Sequence, residues 1–413
     1  MSKYSADCLA AGPLSLFVDP YIHYLRERRY ADGTIRAYLR GLAHFAYWGA
    51  AEGFKLQDVD GALVKRFISA HLPSCTCPTP ICRHVKTIRP ALKHLIVVLQ
   101  QTDHSISKES SGSTPAAHEL MKFQCYLSET CGFAESTIFY RLRHIGDFLE
   151  HQFGAGEIDI DGIAPADIDV CVMNYAKRWR PASLGVIRAS LRSYFRFRSL
   201  QGDQIRHLTA ALPVLADWSK VTLPKALNDV QLEKFVQSFD LATPIGQRDY
   251  AIARCLIDLG LRGCDVANLM LESVDWRSSI LTVENRKGRR VVQLPLPAQT
   301  GQAIANYLRH GRPVTASRAL FVHHEAPIGD SLHVTGIRGA MRRAFERCGL
   351  GGQFCNTHVF RHTFAVRLQR CGSSLKEIAE VLWHRSLEST MSYARVDLAG
   401  LRTVTLPWPG AQS

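Results

Sequence analysis

Near the C-terminus, side chains that can do chemistry fall on successive short elements. His358 and Arg361 stand three residues apart in Thr357-His358-Val359-Phe360-Arg361-His362-Thr363-Phe364-Ala365, so a helix there puts them on one face. Ser374-Leu375-Lys376-Glu377 fits a capping box that opens a second helix, and this one ends at Trp383-His384. A third helical stretch carries Tyr393. Upstream, Arg262 follows an apolar helix that stops at Gly260, and Lys287 lies in a basic hairpin tip. Each has a plainer reading when taken alone. An HxxR spacing recurs by chance, a tyrosine packs, Arg262 is a helix-end charge and Lys287 a solvated hairpin residue.

Two other clusters carry chemistry of a different kind. Arg188, Arg192 and Arg196 recur every four residues, a basic stripe about three turns long that is suited to tracking phosphates. Lys177-Arg178-Trp179-Arg180 just before it sets an aromatic ring among cations and favours a nucleic-acid surface over a merely solvated face. Cys75, Cys77, Cys82 and His84 fall within ten residues and could supply four zinc ligands. Their spacing is neither CxxC nor that of a finger, and Cys75 and Cys77 are close neighbours for joint ligation. A proline-stiffened loop with incidental thiols is the reading preferred here.

The elements that must position these residues are mostly helical. In the last third, helices are expected over residues 249–259, around 302–308, over 335–348 and from 357 to Gly372. Leu281-Thr282-Val283 and Val291-Val292-Gln293-Leu294 read as two strands around the tip Glu284-Asn285-Arg286-Lys287-Gly288-Arg289-Arg290. Leu184, Ile187, Leu191 and Phe195 mark the buried stripe of the helix that carries the arginines.

The 413 residues suffice for two to four domains, and 46% hydrophobic with 21% charged residues is ordinary globular usage, which excludes collagen-like or mainly disordered chains. The longest aliphatic run, Leu95-Ile96-Val97-Val98-Leu99, is far short of a membrane span of about 20 residues. No signal-like apolar stretch follows Met1-Ser2-Lys3-Tyr4, so a soluble, cytoplasmic chain is expected. Reduced thiols are the default there for the 12 cysteines. A formal charge of +13 favours a polyanionic partner, nucleic acid before membrane.

Polar or proline-bounded stretches divide the chain. The expected organisation is an N-terminal helical module over 1–100, a linker over 101–115, a helical domain over 116–212, a linker over 213–223, a larger domain over 224–400 and a tail over 401–413. Residues 1–110 hold 14 basic and 9 acidic residues, residues 111–223 hold 12 of each, and the remainder 24 and 16, so bulk charge points to the first and last pieces as phosphate binders.

The first two pieces resemble each other. Tyr24-Leu25 answers to Tyr126-Leu127, Ala31 to Ile35 answers to Ala134 to Ile138, and Leu39 and Phe45 answer to Leu142 and Phe148. Ile88-Arg89-Pro90-Ala91-Leu92-Lys93 answers to Ile187-Arg188-Ala189-Ser190-Leu191-Arg192. Such ordered matches point to two copies of one small helical module rather than two unrelated amphipathic helix pairs.

Taken in order, the boxes of the last piece resemble the tyrosine recombinase (phage integrase) family over most of residues 224–400. The family's first arginine box corresponds to Gly260-Leu261-Arg262-Gly263-Cys264-Asp265, its hairpin lysine to Lys287, its HxxR box to His358 and Arg361, its LGH box to Leu382-Trp383-His384 and its nucleophile to Tyr393. Two positions depart from the pattern. Asp265 stands where glutamate is usual, and Trp383 where glycine is usual before the second histidine.

The resemblance implies a mainly α fold with a small antiparallel sheet in the catalytic domain, preceded by two small helical (SAM-like) DNA-binding modules. It implies transfer of a DNA phosphodiester to Tyr393, giving a 3′-phosphotyrosine and a free 5′-hydroxyl. Arg262 and Arg361 would clamp the non-bridging oxygens, and Lys287 would protonate the leaving oxygen. His358 and His384 would hydrogen-bond the phosphate, and Asp265 would orient neighbouring basic residues. No cofactor or catalytic metal is required. Arg178, Arg180, Arg188, Arg192, Arg196, Arg289 and Arg290 are the candidate DNA contacts. The implied partners are duplex DNA with specific recombination sites and a homo- or hetero-tetrameric synapse. The expected role is integration or transposition of a mobile element. Val404, Leu406 and Trp408 form an apolar tail that would dock on a neighbouring subunit or on its own domain. The alternatives are a type IB-like topoisomerase and a catalytically silent DNA-binding regulator.

Overall fold

In the computed structural model, the described residues are 14–55, 58–77, 82–102, 114–179, 181–212, 225–285 and 290–383. By its internal contacts the chain forms two compact units, Ser110–Leu223 and one made of Met1–Glu109 with Pro224–Ser413. Within the second unit the N-terminal and C-terminal parts keep separate hydrophobic cores, one between Leu14 and Leu99 and one between Leu227 and Phe360.

The N-terminal part is helical: α1 Val18–Glu27, α2 Asp32–Ala51, α3 Gly61–Arg66 and α4 Val85–Thr102. After α3 the chain continues as a wide π-turn, Phe67–His71, and a tight 3-10 turn, Leu72–Ser74. Asp60 starts α3 by accepting the Leu63 N–H at 2.7 Å. The core is aromatic, with Tyr21 and Phe67 fully buried and the Tyr21 hydroxyl donating to the Ala91 carbonyl at 3.0 Å.

The Ser110–Leu223 unit holds α5 Pro115–Cys125, α6 Glu135–Phe153, α7 Pro165–Ala176, α8 Pro181–Leu200 and α9 Arg206–Ala211. Thr114 caps α5 through its hydroxyl, and Pro115 and Pro165 each occupy a first turn, where no N–H is needed. Leu184, Ile187, Leu191 and Phe195 of α8 are buried as their spacing requires. The paired positions of the two helical parts have matching environments: Leu25 and Leu127, Ile35 and Ile138, Phe45 and Phe148, and Ile88 and Ile187 are all core residues.

The C-terminal part contains α10 Asp229–Gln237, α11 Pro244–Asp258, α12 Gly263–Ala267, β1 Val274–Asp275, β2 Ile280–Asn285, β3 Arg290–Pro295, α13 Ala298–Asn306, α14 Val334–Arg347, α15 His358–Arg370 and α16 Leu375–Val381. The sheet is antiparallel in the order β1-β2-β3, and the β2–β3 hairpin pairs Leu281 with Leu294 and Asn285 with Arg290. Strand β1 is two residues long and showed no alternation to read. Apolar α11 crosses the core with Ala251, Ile252, Cys255 and Leu256 fully buried, and Phe235, Phe345 and Phe360 stack beside it.

Candidate active site

Helix α11 ends at Gly260, whose φ of +58° lies in the left-handed region that glycine enters without steric cost. A Cβ built at Gly260 would stand 2.6 Å from Phe364 Cδ1 of α15 and 3.0 Å from Leu382 Cδ2. The turn thus brings the chain against both α15 and the end of α16.

Two residues on, Arg262 is the N-cap of α12, with its side chain 30% exposed. Asp265 is buried; its Oδ2 accepts the Arg262 N–H at 3.2 Å and lies 3.9 Å from Arg262 Nη1. The carboxylate therefore fixes the backbone that carries Arg262 and balances part of its charge. A Cβ at Gly263 would lie 3.2 Å from Thr357 Oγ1, so the start of α12 packs on the start of α15.

His358 opens α15, its N–H donating to Asn356 Oδ1 at 3.1 Å. One turn along, Arg361 is 4% exposed. Its Nη1 donates to the Gly260 carbonyl at 2.9 Å, and its Nη2 donates to the Leu382 carbonyl. One guanidinium therefore joins the first arginine box, the HxxR box and the segment that leads to His384. Thr363 on the same helix accepts the Leu227 N–H at 2.9 Å and secures the entry to the domain.

The electrostatics follow from this crowding. Although His358 keeps part of its surface in water, burial of the ring and then the positive charges of Arg361, Arg262 and Arg338 hold its pKa below the ordinary histidine value. Burial first, then His358 and Arg361, pushes His362 down to about 4. Arg262 and Arg361 thus form a cationic pair beside His358 and His362, whose charged forms are disfavoured by burial and by these arginines. A phosphate placed there would meet donors already oriented, and its charge would raise the histidine pKa values.

Arg338 was not singled out from the sequence. It projects from α14, as do exposed Arg342 and Arg343. The four-residue step from Arg338 to Arg342 repeats the periodicity noted for Arg188, Arg192 and Arg196 and was the available signal.

Lys287, Arg289, His384 and Tyr393 lie outside the described residues, as do Arg180 and the tail with Val404, Leu406 and Trp408. Arg290 pairs through its backbone with Asn285, and its side chain is outside the description. Trp383, at the position that departs from the family pattern, has a φ of +50°. Glycine is the usual residue there because this region is costly for any side chain. The indole instead packs, partly buried, on the domain core.

On α8, Arg192 and Arg196 are exposed, whereas Arg188 is half-buried. Arg178 is exposed at the end of α7. Trp179 corrects the sequence reading. It is half-buried, edge-on to Tyr175 at 5.5 Å and to His144 at 5.6 Å, and so serves packing rather than standing free among the cations.

Comparison with known proteins identifies the family. Residues 225–399 match the model of the phage integrase family. A putative integrase/recombinase of Sinorhizobium fredii, y4rA, is 33% identical over 401 residues, covering 97% of this chain and 95% of its own. The tyrosine recombinase XerC of Anoxybacillus flavithermus is 28% identical over 291 residues, 68% of this chain and 94% of its own. Among solved structures, the XerH site-specific recombinase bound to a palindromic difH substrate superposes with a TM-score of 0.55 at 15% identity, over 71% of this chain and 97% of its own. The fold is that of a tyrosine recombinase catalytic domain. The chain belongs to the phage integrase family, the tyrosine recombinases, enzymes that break and rejoin DNA strands.

Proposed function

We propose that this chain is a site-specific recombinase that cuts and rejoins duplex DNA through a 3′-phosphotyrosine on Tyr393. The observation that carries the reading is the meeting of Arg262, His358 and Arg361 at the Gly260 turn, with Arg361 also holding the carbonyl of Leu382, two residues before His384. Tyr393 attacks the scissile phosphorus, with His358 helping to take its hydroxyl proton, and the bond to the 5′-oxygen breaks. That oxygen takes its proton from Lys287, and the phosphodiester energy is kept in the tyrosyl ester. Arg262 and Arg361 stabilise the non-bridging oxygens, assisted by hydrogen bonds from His358 and His384. Asp265 keeps Arg262 in place. Rejoining is the same path with a new 5′-hydroxyl as nucleophile.

The substrate is duplex DNA carrying recombination sites, held by the catalytic domain and by the helical modules. Arg178, Arg192 and Arg196 contact phosphates, and Arg188 joins them at the half-buried end of the stripe. Strand exchange takes place in a tetrameric synapse in the cytoplasm. The helical residues before 224 and the similarity of nearly the whole chain to a putative integrase/recombinase favour a mobile-element enzyme. XerC, shorter than this chain, is covered by it almost end to end.

The test is a nicked suicide duplex carrying the candidate element end. The wild-type chain is expected to form a covalent adduct on a denaturing gel, and Tyr393→Phe to bind the DNA without forming one. DNA binding with no adduct in the wild type favours a silent regulator. Relaxation of plasmid that lacks the site favours a topoisomerase.

A further inference from the structure

The N-terminal helical part contains a cluster that the recombination chemistry does not use. His44 lies in the middle of α2, His71 ends the π-turn after α3, and Cys75 and Cys77 follow directly. One ligand atom from each lies within 4.8 Å of all the others. His44 Nε2 is 3.2 Å from His71 Nε2 and 3.3 Å from Cys75 Sγ, and Cys77 Sγ is 3.4 Å from His71 Nε2.

These three separations come close to those of a coordination shell. Tetrahedral zinc with Zn–N of about 2.0–2.1 Å and Zn–S of about 2.3 Å sets neighbouring ligand atoms roughly 3.3–3.8 Å apart. His44 is also oriented for ligation: it is fully buried, and its Nδ1 donates to the Cys82 carbonyl at 2.8 Å. That bond leaves the Nε2 lone pair aimed into the cluster, the outer-sphere arrangement found behind metal-bound histidines. Two thiolates and two neutral imidazoles cancel the charge of a divalent cation, which suits a half-buried place.

We propose that His44, His71, Cys75 and Cys77 form a structural zinc site of the Cys2His2 type, which ties α2 to the turn beyond α3. Zinc uptake releases the two thiol protons to solvent, and no redox step is involved. The site differs from the one that linear spacing offered. Cys82 contributes its carbonyl to His44 and not its thiol, and His84 is exposed, its carbonyl accepting from Ile88 at the start of α4. The apparent crowding of Cys75 and Cys77 is no obstacle, because both sulfurs lie within 4.8 Å of each other and of the two imidazole nitrogens.

The second helical unit supports a fastening role at this location. By the pairing that sets Phe45 against Phe148, His44 corresponds to Asp147. Counting from the helix N-caps Asp60 and Ala164, His71 corresponds to Tyr175 and Cys75 to Trp179. There the Tyr175 hydroxyl donates to Asp147 Oδ2 at 2.9 Å, and Trp179 packs on Tyr175. The corresponding segments are joined in both helical parts, by a hydrogen bond between α6 and the end of α7 in one and by metal-ligand chemistry between α2 and the turn beyond α3 in the other.

Elemental analysis of the full-length chain, purified without chelator, is expected to find about one zinc per chain. The double variant Cys75→Ser/Cys77→Ser should lose it by about tenfold or more, while Cys82→Ser, His84→Ala and Tyr393→Phe should keep it. The cobalt-loaded wild type should show tetrahedral d–d bands with thiolate-to-metal charge transfer. This decides the matter should the double variant fail to fold. Folded wild-type chain that takes up neither zinc nor cobalt when each is added in stoichiometric amount would falsify the site. So would stoichiometric zinc that survives in the double variant, or a cobalt spectrum without thiolate charge transfer. None of these readouts depends on DNA cleavage, so the site and the recombinase reading fail separately.

Discussion

Arg361 Nη1 donates to the carbonyl of Gly260 across 101 residues of chain, at 2.9 Å and out of contact with water. The same guanidinium reaches the carbonyl of Leu382, so a residue assigned by motif to the phosphate also holds three of the sequence boxes in register. Its loss should therefore differ in kind from the loss of Arg262, whose long ion pair with Asp265 leaves its side chain partly exposed. Arg361→Ala is expected to abolish adduct formation and lower stability by about 2–5 kcal/mol, since it leaves two buried carbonyls unpaired. Arg262→Ala should lower adduct formation by a factor on the order of 10²–10³ and leave the denaturation midpoint nearly unchanged. Adduct assays beside urea titrations distinguish the two. Equal destabilisation by both would contradict the division of labour.

Gly260→Ala should be among the more damaging single-methyl additions in the catalytic domain. The position is left-handed and the new Cβ would meet Phe364 and Leu382. A cost of about 2–4 kcal/mol is expected from backbone strain plus overpacking. A loss below about 0.5 kcal/mol in chemical denaturation would show that the turn relaxes.

Trp383 inverts an ordinary ranking. Glycine normally destabilises a chain more than alanine, through backbone entropy. At a φ of +50° the order should reverse, with Trp383→Gly about 1 kcal/mol more stable than Trp383→Ala. Both lose the packing of the indole, so the comparison isolates the backbone. Thermal melts of the two variants test it, and alanine above glycine would refute the conformation.

His362 makes stability depend on pH. An unfolded histidine takes up its proton near pH 6.5, whereas the folded chain resists until about 4 because of burial, His358 and Arg361. Between these limits the unfolded state binds more protons, so stability is lost as pH falls from about 6.5 towards 4 and is unaffected above that window. His362→Gln should flatten this acid limb relative to wild type. An unaltered slope in midpoint against pH would mean that the proton is taken up elsewhere.

Much of the site was legible because local rules govern it. The HxxR spacing, the Ser374 capping box, the helix stop at Gly260 and the hairpin each arise from interactions within a few residues, and each element lies near where periodicity put it. The order of Arg262, Lys287, His358, Arg361, His384 and Tyr393 was enough to suggest the family. Tertiary structure decided what depends on distant partners. No spacing rule could pair Arg361 with the carbonyls of Gly260 and Leu382, because main-chain acceptors carry no residue identity. Trp179 turned inward because Tyr175 and His144 offered it a packing surface. His44 was out of reach for the same reason, whereas His71, four residues before Cys75, was legible in the sequence. His44 and Cys77 are brought together by the fold of α2 against the turn beyond α3, while Cys82 and His84, nearer in sequence to the thiols, leave the cluster as the chain enters α4. Sequence alone determined which chemistries were available and the local elements that carry them. Packing chose which side chains meet, because contact energy depends on distance in space and not along the chain.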